Sequence, residues 1–253
     1  MPPRSIVVIS LLACLPAAEV AGALAGSDRA EPPRRTHVIG HSVRGRPLRA
    51  LELGDPAAER KLLVVGCIHG NECAGEAITR RLRDLVPPAG SELWLVDDLN
   101  PDGHAARTRQ NARGVDLNRN FSWRWRPLDR RGGAHYSGPR PFSEPESRAA
   151  RRLIMRVRPR VTIWFHQALT LVDESGGDAR IERRYARRVH LPLRRLPPYP
   201  GTATSWQNHH LPGTTAFVVE LPAGRLSARA VDCHARAVLN LASAASGSRR
   251  GTP

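Results

Sequence analysis

Residues 61–76, KLLVVGCIHGNECAGE, decide how the chain reads. Leu62, Leu63, Val64 and Val65 form an unbroken apolar run bounded by turn formers, the pattern of a short strand covered on both faces of a sheet. Gly66 and Gly70 end it. His69 and Glu72, three residues apart on the turn, can then both point into a cavity at the strand's carboxyl end, where open α/β sheets hold their ligands. An isolated His-x-x-Glu is more often a core or surface histidine beside a solvated acid, so the pair gains meaning only from the rest of the chain.

Working outward, residues 38–54 read as an entry hairpin around Arg44-Gly45-Arg46-Pro47. Residues 74–85 have helical spacing, and 91–98 give a second buried strand ended by the turn Asn100-Pro101-Asp102-Gly103. A basic loop (104–113) precedes VDLNRNF (115–121), and residues 122–145, rich in Trp, Arg, Gly and Pro, predict a long irregular loop over the site. Ser143-x-x-Glu146 is a capping box opening a helix to about Val157. VTIWF (161–165) is a third strand ending on His166, a helix follows over 178–189, TTAFVVE (214–220) is a fourth strand ending on Glu220, and a last helix spans 226–245. Strands alternating with helices predict an α/β fold: one domain with a mostly parallel, mixed central sheet flanked by helices.

The chain has 253 residues, enough for one substantial core, and no apolar run of membrane-spanning length. Residues 6–18, IVVISLLACLPAA, follow Arg4 and precede Ala23-Leu24-Ala25, so residues 1–25 read as an export signal, with Leu11-Leu12-Ala13-Cys14 a loose lipoprotein-box alternative. The expected destination is secreted, periplasmic or wall-associated. Residues 26–36 read as a linker, 37–245 as the catalytic domain and 246–253 as a disordered tail. The net charge of +16 is almost all arginine, Lys61 being the only lysine, a bias that coding composition explains as readily as attraction to polyanions does. With export, such partners would be anionic cell-wall polymers or lipid and not nucleic acid. Cys67, Cys73 and Cys233 remain after the signal, and the sequence leaves their pairing open. Cys67 and Cys73 are read as small buried residues, since no Cys-x-x-Cys spacing supports ligation.

Polar residues of one chemical kind thus sit at the ends of separate strands: His69 and Glu72, then His166, then Glu220. Three N/O donors with a position left open are how catalytic zinc differs from a closed structural site. Glu220 can take a proton from water and pass it to a leaving amine.

The chain resembles the zinc carboxypeptidases of the carboxypeptidase A family, and within them the small bacterial branch of murein peptide amidases and γ-D-glutamyl-diaminopimelate peptidases. The shared marks are Gly40-His-Ser-x-x-Gly45-Arg46, His69-Gly-Asn-Glu72, Asn100-Pro-Asp-Gly103, Arg109-Gln-Asn-Ala-Arg-Gly-Val-Asp-Leu-Asn-Arg-Asn-Phe121, Tyr136-Ser-Gly-Pro139, Phe142-Ser-Glu-Pro-Glu146, Phe165-His-Gln167 and Phe217-Val-Val-Glu220. The resemblance implies one zinc ion held by His69, Glu72 and His166, with Glu220 as general base. It implies that Arg109 steadies the oxyanion and that Asn118 and Arg119 grip the substrate's free carboxylate. Tyr199 lies in the interval of the family's substrate-covering tyrosine. Gln167-Ala168 stands where many members carry Ser-Tyr. The specificity segment, Gly201-Thr-Ala-Thr-Ser-Trp206, has no acid and suits a polar side chain such as that of diaminopimelate, with Arg195 and His209 within reach of the site. The expected substrate is a peptide or murein peptide, cut between γ-D-glutamate and meso-diaminopimelate. An ordinary carboxypeptidase releasing C-terminal L-residues and a non-catalytic wall-binding domain are the alternatives.

Overall fold

The computed structural model of the protein describes residues 33–243. The expected export signal and tail lie outside the described residues. So does most of the expected linker, the end of which belongs to a strand that begins at Arg34. The strands are β1 (Arg34–His41), β2 (Pro47–Gly54), β3 (Arg60–Val65), β4 (Ser91–Val96), β5 (Val161–Gln167), β6 (Leu171–Asp173), β7 (Leu193–Arg194) and β8 (Thr215–Leu221). The helices are α1 (Gly75–Arg83), α2 (Pro101–Ala106), α3 (Pro145–Val157), α4 (Ala179–Val189), α5 (Ala203–His210) and α6 (Ala228–Ser243), with a 3-10 turn at Leu117–Arg119.

The strands form one eight-stranded sheet in the order β1-β2-β4-β3-β5-β8-β6-β7. Its centre, β4-β3-β5-β8, is parallel, while β1/β2, β2/β4 and β6/β8 pair antiparallel. Alternation along β3 explains the unbroken apolar run. Leu62 and Val64 pack with Ile78 and Leu82 of α1, Tyr185 of α4 and Val238 of α6 on one face. Leu63 and Val65 pack with Leu153 and Ile154 of α3 and with Trp206 of α5 on the other. A strand covered on both faces has no polar side to show. Because β3, β5 and β8 run in register, their carboxyl ends, with the residues that follow, open on one edge.

Several local expectations change. The Asn100-Pro-Asp-Gly turn is the start of α2: the Asn100 side chain accepts from the Gly103 backbone N–H at 3.0 Å, and Pro101 occupies the first turn, where its missing N–H costs nothing. The capping box does not form. Glu144 is the N-cap of α3, while Glu146 Oε1 accepts the Val43 N–H at 2.9 Å, a long-range demand that a local motif cannot register. The short strands β6 and β7 and the helix α5 lie where no element was expected. Residues 122–144 carry neither helix nor strand, as expected, but the candidate cavity described below is lined by none of them.

Candidate active site

The turn after β3 carries His69 and Glu72 and packs tightly on α2. A Cβ at Gly70 would stand 2.0 Å from the Gly103 carbonyl carbon, so only glycine allows the approach. A disulfide, Cys67–Cys73, closes the same turn, which settles the pairing in favour of the two cysteines that flank His69 and Glu72 and leaves Cys233 free. Cys67 is fully buried, as expected, while Cys73 is only partly so.

Three donors converge. Glu72 Oε2 lies 3.0 Å from His69 Nδ1 and 3.1 Å from His166 Nδ1, and the two Nδ1 atoms are 3.1 Å apart. Both imidazoles are almost fully buried. The outer nitrogen of His69 donates to Asp116 Oδ1 at 2.9 Å, which fixes the ring and aims Nδ1 at the centre. Asp116 Oδ2 also accepts Arg109 Nε–H at 3.0 Å, and Arg109 Nη1 reaches Glu72 Oε1 at 2.7 Å. One buried carboxylate therefore orients an imidazole and a guanidinium together. Asp116 was not singled out in the sequence, although an Asp before a 3-10 turn was a visible capping signal, and its side chain does accept the Asn118 N–H.

The charges follow this geometry. Burial works against ionisation of Glu72 and Asp116, but their imidazole partners outweigh it and hold both carboxyls far below the usual range. Burial alone would lower His69, yet Asp116 and Glu72 raise it; His166, buried without such a partner on its outer nitrogen, falls to about 4. Glu220 is the direct strand partner of His166 in the β5/β8 register. Burial and then the neighbouring charge of Glu72 raise its carboxyl.

Asn118 and Arg119 line the same cavity, with Asn118 Nδ2 3.4 Å from His166 Nε2. Arg119 is buried, its Nη1 donates to the Asn118 carbonyl at 2.8 Å, and its Nε has no protein partner among the described residues. Its guanidinium stacks 4.2 Å from the centre of the Tyr199 ring, which is half exposed and also stacks on His135. All eight expected site residues, His69, Glu72, Arg109, Asn118, Arg119, His166, Tyr199 and Glu220, line one cavity of about 500 Å³. Thr202, Thr204 and Ser205 of the expected specificity segment line it too, but Trp206 is buried in the core. The absence of acid in that segment is made good from elsewhere: β6 and the residue after it bring Asp173 and Glu174 into the lining, and Arg195 joins them. His209 stacks instead on Trp123. Gln167 braces the floor, accepting the Ala74 N–H and donating to the Pro222 and Gly224 carbonyls.

The donor set fits zinc. His69 Nδ1, Glu72 Oε2 and His166 Nδ1 lie within 4.8 Å of one another, two nitrogens and an oxygen with the cavity open beside them. A second cluster, Cys67, Cys73, Glu76 and His104, has its sulfurs committed to the disulfide.

The zinc carboxypeptidase family model matches residues 27–180. The chain belongs to the zinc carboxypeptidase family. Membership implies a hydrolase that uses zinc. The match ends before Glu220, which the strand register carries to the site. Murein peptide amidase A of Escherichia coli strain K12 is 32% identical over 195 residues, 71% of this chain and 79% of the relative. The corresponding protein of Vibrio campbellii is 31% identical over 72% of this chain and 77% of its own length. A crystal structure of the murein-tripeptide amidase from Escherichia coli O157 matches with a TM-score of 0.69 at 29% identity, covering 87% of this chain and 96% of that one. Carboxypeptidase A from Helicoverpa armigera matches with a TM-score of 0.72 at 19% identity over 85% of this chain and 70% of that one, a likeness of fold alone. The expected α/β class, a mixed sheet with a parallel centre between helices, is the family's.

Proposed function

We propose that this zinc carboxypeptidase homologue hydrolyses an amide bond next to a free carboxylate in peptidoglycan stem peptides, between γ-D-glutamate and meso-diaminopimelate. The observation that carries the reading is a single cavity lined both by the converging His69, Glu72 and His166 donors and by the buried Arg119 guanidinium with an unsatisfied Nε. A guanidinium grips a carboxylate through parallel hydrogen bonds, so a substrate carboxylate answers the orphaned donor. The likeness to the murein peptide amidases supports the choice of peptide, and the export expected from residues 1–25 would bring the enzyme to the wall.

His69, Glu72 and His166 would hold zinc, which when bound supplies a Lewis acid for the scissile carbonyl and acidifies water. Glu220 takes the proton of the attacking water and returns it to the departing nitrogen. Its raised carboxyl serves both halves of that task, since a stronger acid would hold the proton too weakly. Arg109, fixed by Asp116 and Glu72, presents a preorganised cation to the developing oxyanion. Asn118 and Arg119 set the register of the bond by holding the carboxylate beyond it, and Tyr199 flanks that carboxylate from the cavity mouth. Among the described residues no helix is long and apolar enough to cross a membrane.

The test is mass spectrometry of L-Ala–γ-D-Glu–meso-diaminopimelate incubated with zinc-loaded protein, with and without chelator. Chelator-sensitive release of diaminopimelate is expected. An intact tripeptide alongside cleaved C-terminal L-residues of ordinary peptides would replace this reading with the general carboxypeptidase.

A further inference from the structure

The cavity contains an ion pair that the catalytic groups do not use. Strands β6 and β7 pair in parallel, with Asp173 opposite Arg194, and the Glu174 N–H donates to the Arg194 carbonyl at 2.8 Å. This pairing sets the next side chains, Glu174 and Arg195, against each other: Arg195 Nη2 donates to Glu174 Oε1 at 2.9 Å. Both line the cavity that holds Arg119 and the zinc donors. The neighbouring acid is committed elsewhere, since Asp173 Oδ1 accepts the Leu196 N–H at 2.8 Å and Oδ2 the Ser175 hydroxyl at 2.7 Å. Among the described residues, Glu174 and Arg195 are the charges of this wall paired only with each other, 31% and 68% exposed respectively.

An ion pair so exposed contributes little to the fold, and a ligand can part it at small cost. Parting it for a single charge is still unfavourable, because the other partner is stranded facing the ligand. A ligand that carries an ammonium and a carboxylate on the same carbon exchanges one ion pair for two and strands nothing. Arg195 suits the carboxylate half, because its fork can donate two parallel bonds. We propose that Glu174 and Arg195 form a specificity subsite for a zwitterionic side-chain terminus, that is, for a residue whose side chain itself ends in an amino acid. Combined with Asn118 and Arg119 on the carboxylate beside the scissile bond, the cavity selects diamino-dicarboxylic acids over lysine, which lacks the second carboxylate, and over glutamate, which lacks the second ammonium. The inference rests on the function proposed above and names the residues that choose its substrate.

The experiment compares two tripeptides, L-Ala–γ-D-Glu–meso-diaminopimelate and L-Ala–γ-D-Glu–L-Lys, with zinc-loaded wild type, Arg195→Gln and Glu174→Gln. The wild type should prefer the diaminopimelate peptide in kcat/KM by on the order of ten-fold, carried by KM, the effect of one hydrogen-bonded charge. Arg195→Gln should bring that preference close to unity. Glu174→Gln should lower kcat/KM for both peptides, since both end in an ammonium. Undiminished preference in Arg195→Gln, or an equal loss on both peptides, overturns the subsite. If wild type cleaves both peptides equally, the subsite fails and the proposed function stands; if it cleaves neither, both fail. Calorimetry on wild type with free meso-diaminopimelate and free L-lysine guards against a variant that misfolds: tighter binding of the former is expected, and equal binding overturns the proposal.

Discussion

Replacing Asp116 by Asn changes almost no volume and tests whether one buried carboxylate organises the site. Asp116 is fully buried and accepts three hydrogen bonds: His69 Nε2 and the Asn118 N–H on Oδ1, at 2.9 Å each, and Arg109 Nε on Oδ2 at 3.0 Å. An amide cannot serve all three. If its oxygen faces His69, its NH₂ meets the Arg109 Nε–H donor head-on and the guanidinium loses its anchor. If it turns round, its NH₂ faces His69 Nε2 and drives the ring proton to Nδ1, the nitrogen aimed at Glu72 and the zinc position. Each lost charge-assisted bond is worth about 1.5–3 kcal/mol, and breaking a buried pair costs about 3–5 kcal/mol of fold stability. Loss of an orienting partner behind a metal ligand weakens metal binding about 10–100-fold. The zinc affinity of Asp116→Asn, measured by competition with a chromogenic chelator, should fall in that range at pH 8. The deficit should shrink as pH falls, because the wild-type His69 is raised by Asp116 and must shed a proton to bind, a penalty the variant partly escapes. Wild-type affinity at pH 8 in a folded Asp116→Asn protein would refute the orienting role.

Glu220→Gln should retain zinc and KM while kcat falls on the order of a thousand-fold, whereas Arg119→Ala should chiefly raise KM; equal kcat losses with KM unchanged in both would contradict the division of roles. His234, buried and accepting the Tyr185 hydroxyl at 2.8 Å on Nδ1, is lowered from 6.5 to about 4. The unfolded chain therefore binds the extra proton between those values, so its contribution of about 3 kcal/mol is complete above pH 6.5 and lost as pH falls towards 4. Urea midpoints of wild type and His234→Gln should converge over that window, and parallel curves would exclude the effect.

The groups that were legible in the sequence share one property: the chain itself announces where they stand. His69, His166 and Glu220 each follow an apolar run that could only be a buried strand, and parallel pairing then puts strand ends on one edge. What stayed hidden depends on partners far away. Glu146 looked like half of a capping box but is spent on the Val43 N–H, 103 positions away in sequence. The strands β6 and β7, with ranges of Leu171–Asp173 and Leu193–Arg194, are too short to show a period; β6 exists because β8 offers an edge on which to pair, and β7 because β6 then offers another.

This contrast bears on specificity more than on chemistry. The zinc donors and Glu220 stand at or just beyond the ends of central strands, so a sequence that makes the sheet also places them. The cavity wall proposed to meet the substrate side chain comes from the marginal edge of that sheet, where Glu174 and Arg195 meet through a few backbone bonds between β6 and β7. Changes there leave the core and the zinc donors untouched while altering which side chain the wall can satisfy. The acid missing from the 201–206 segment illustrates the point, since a pocket's charge can be supplied by any element that reaches it. Reading that segment alone shows a polar lining without the charges of the wall beside it. The charges come from a part of the chain with no motif of its own.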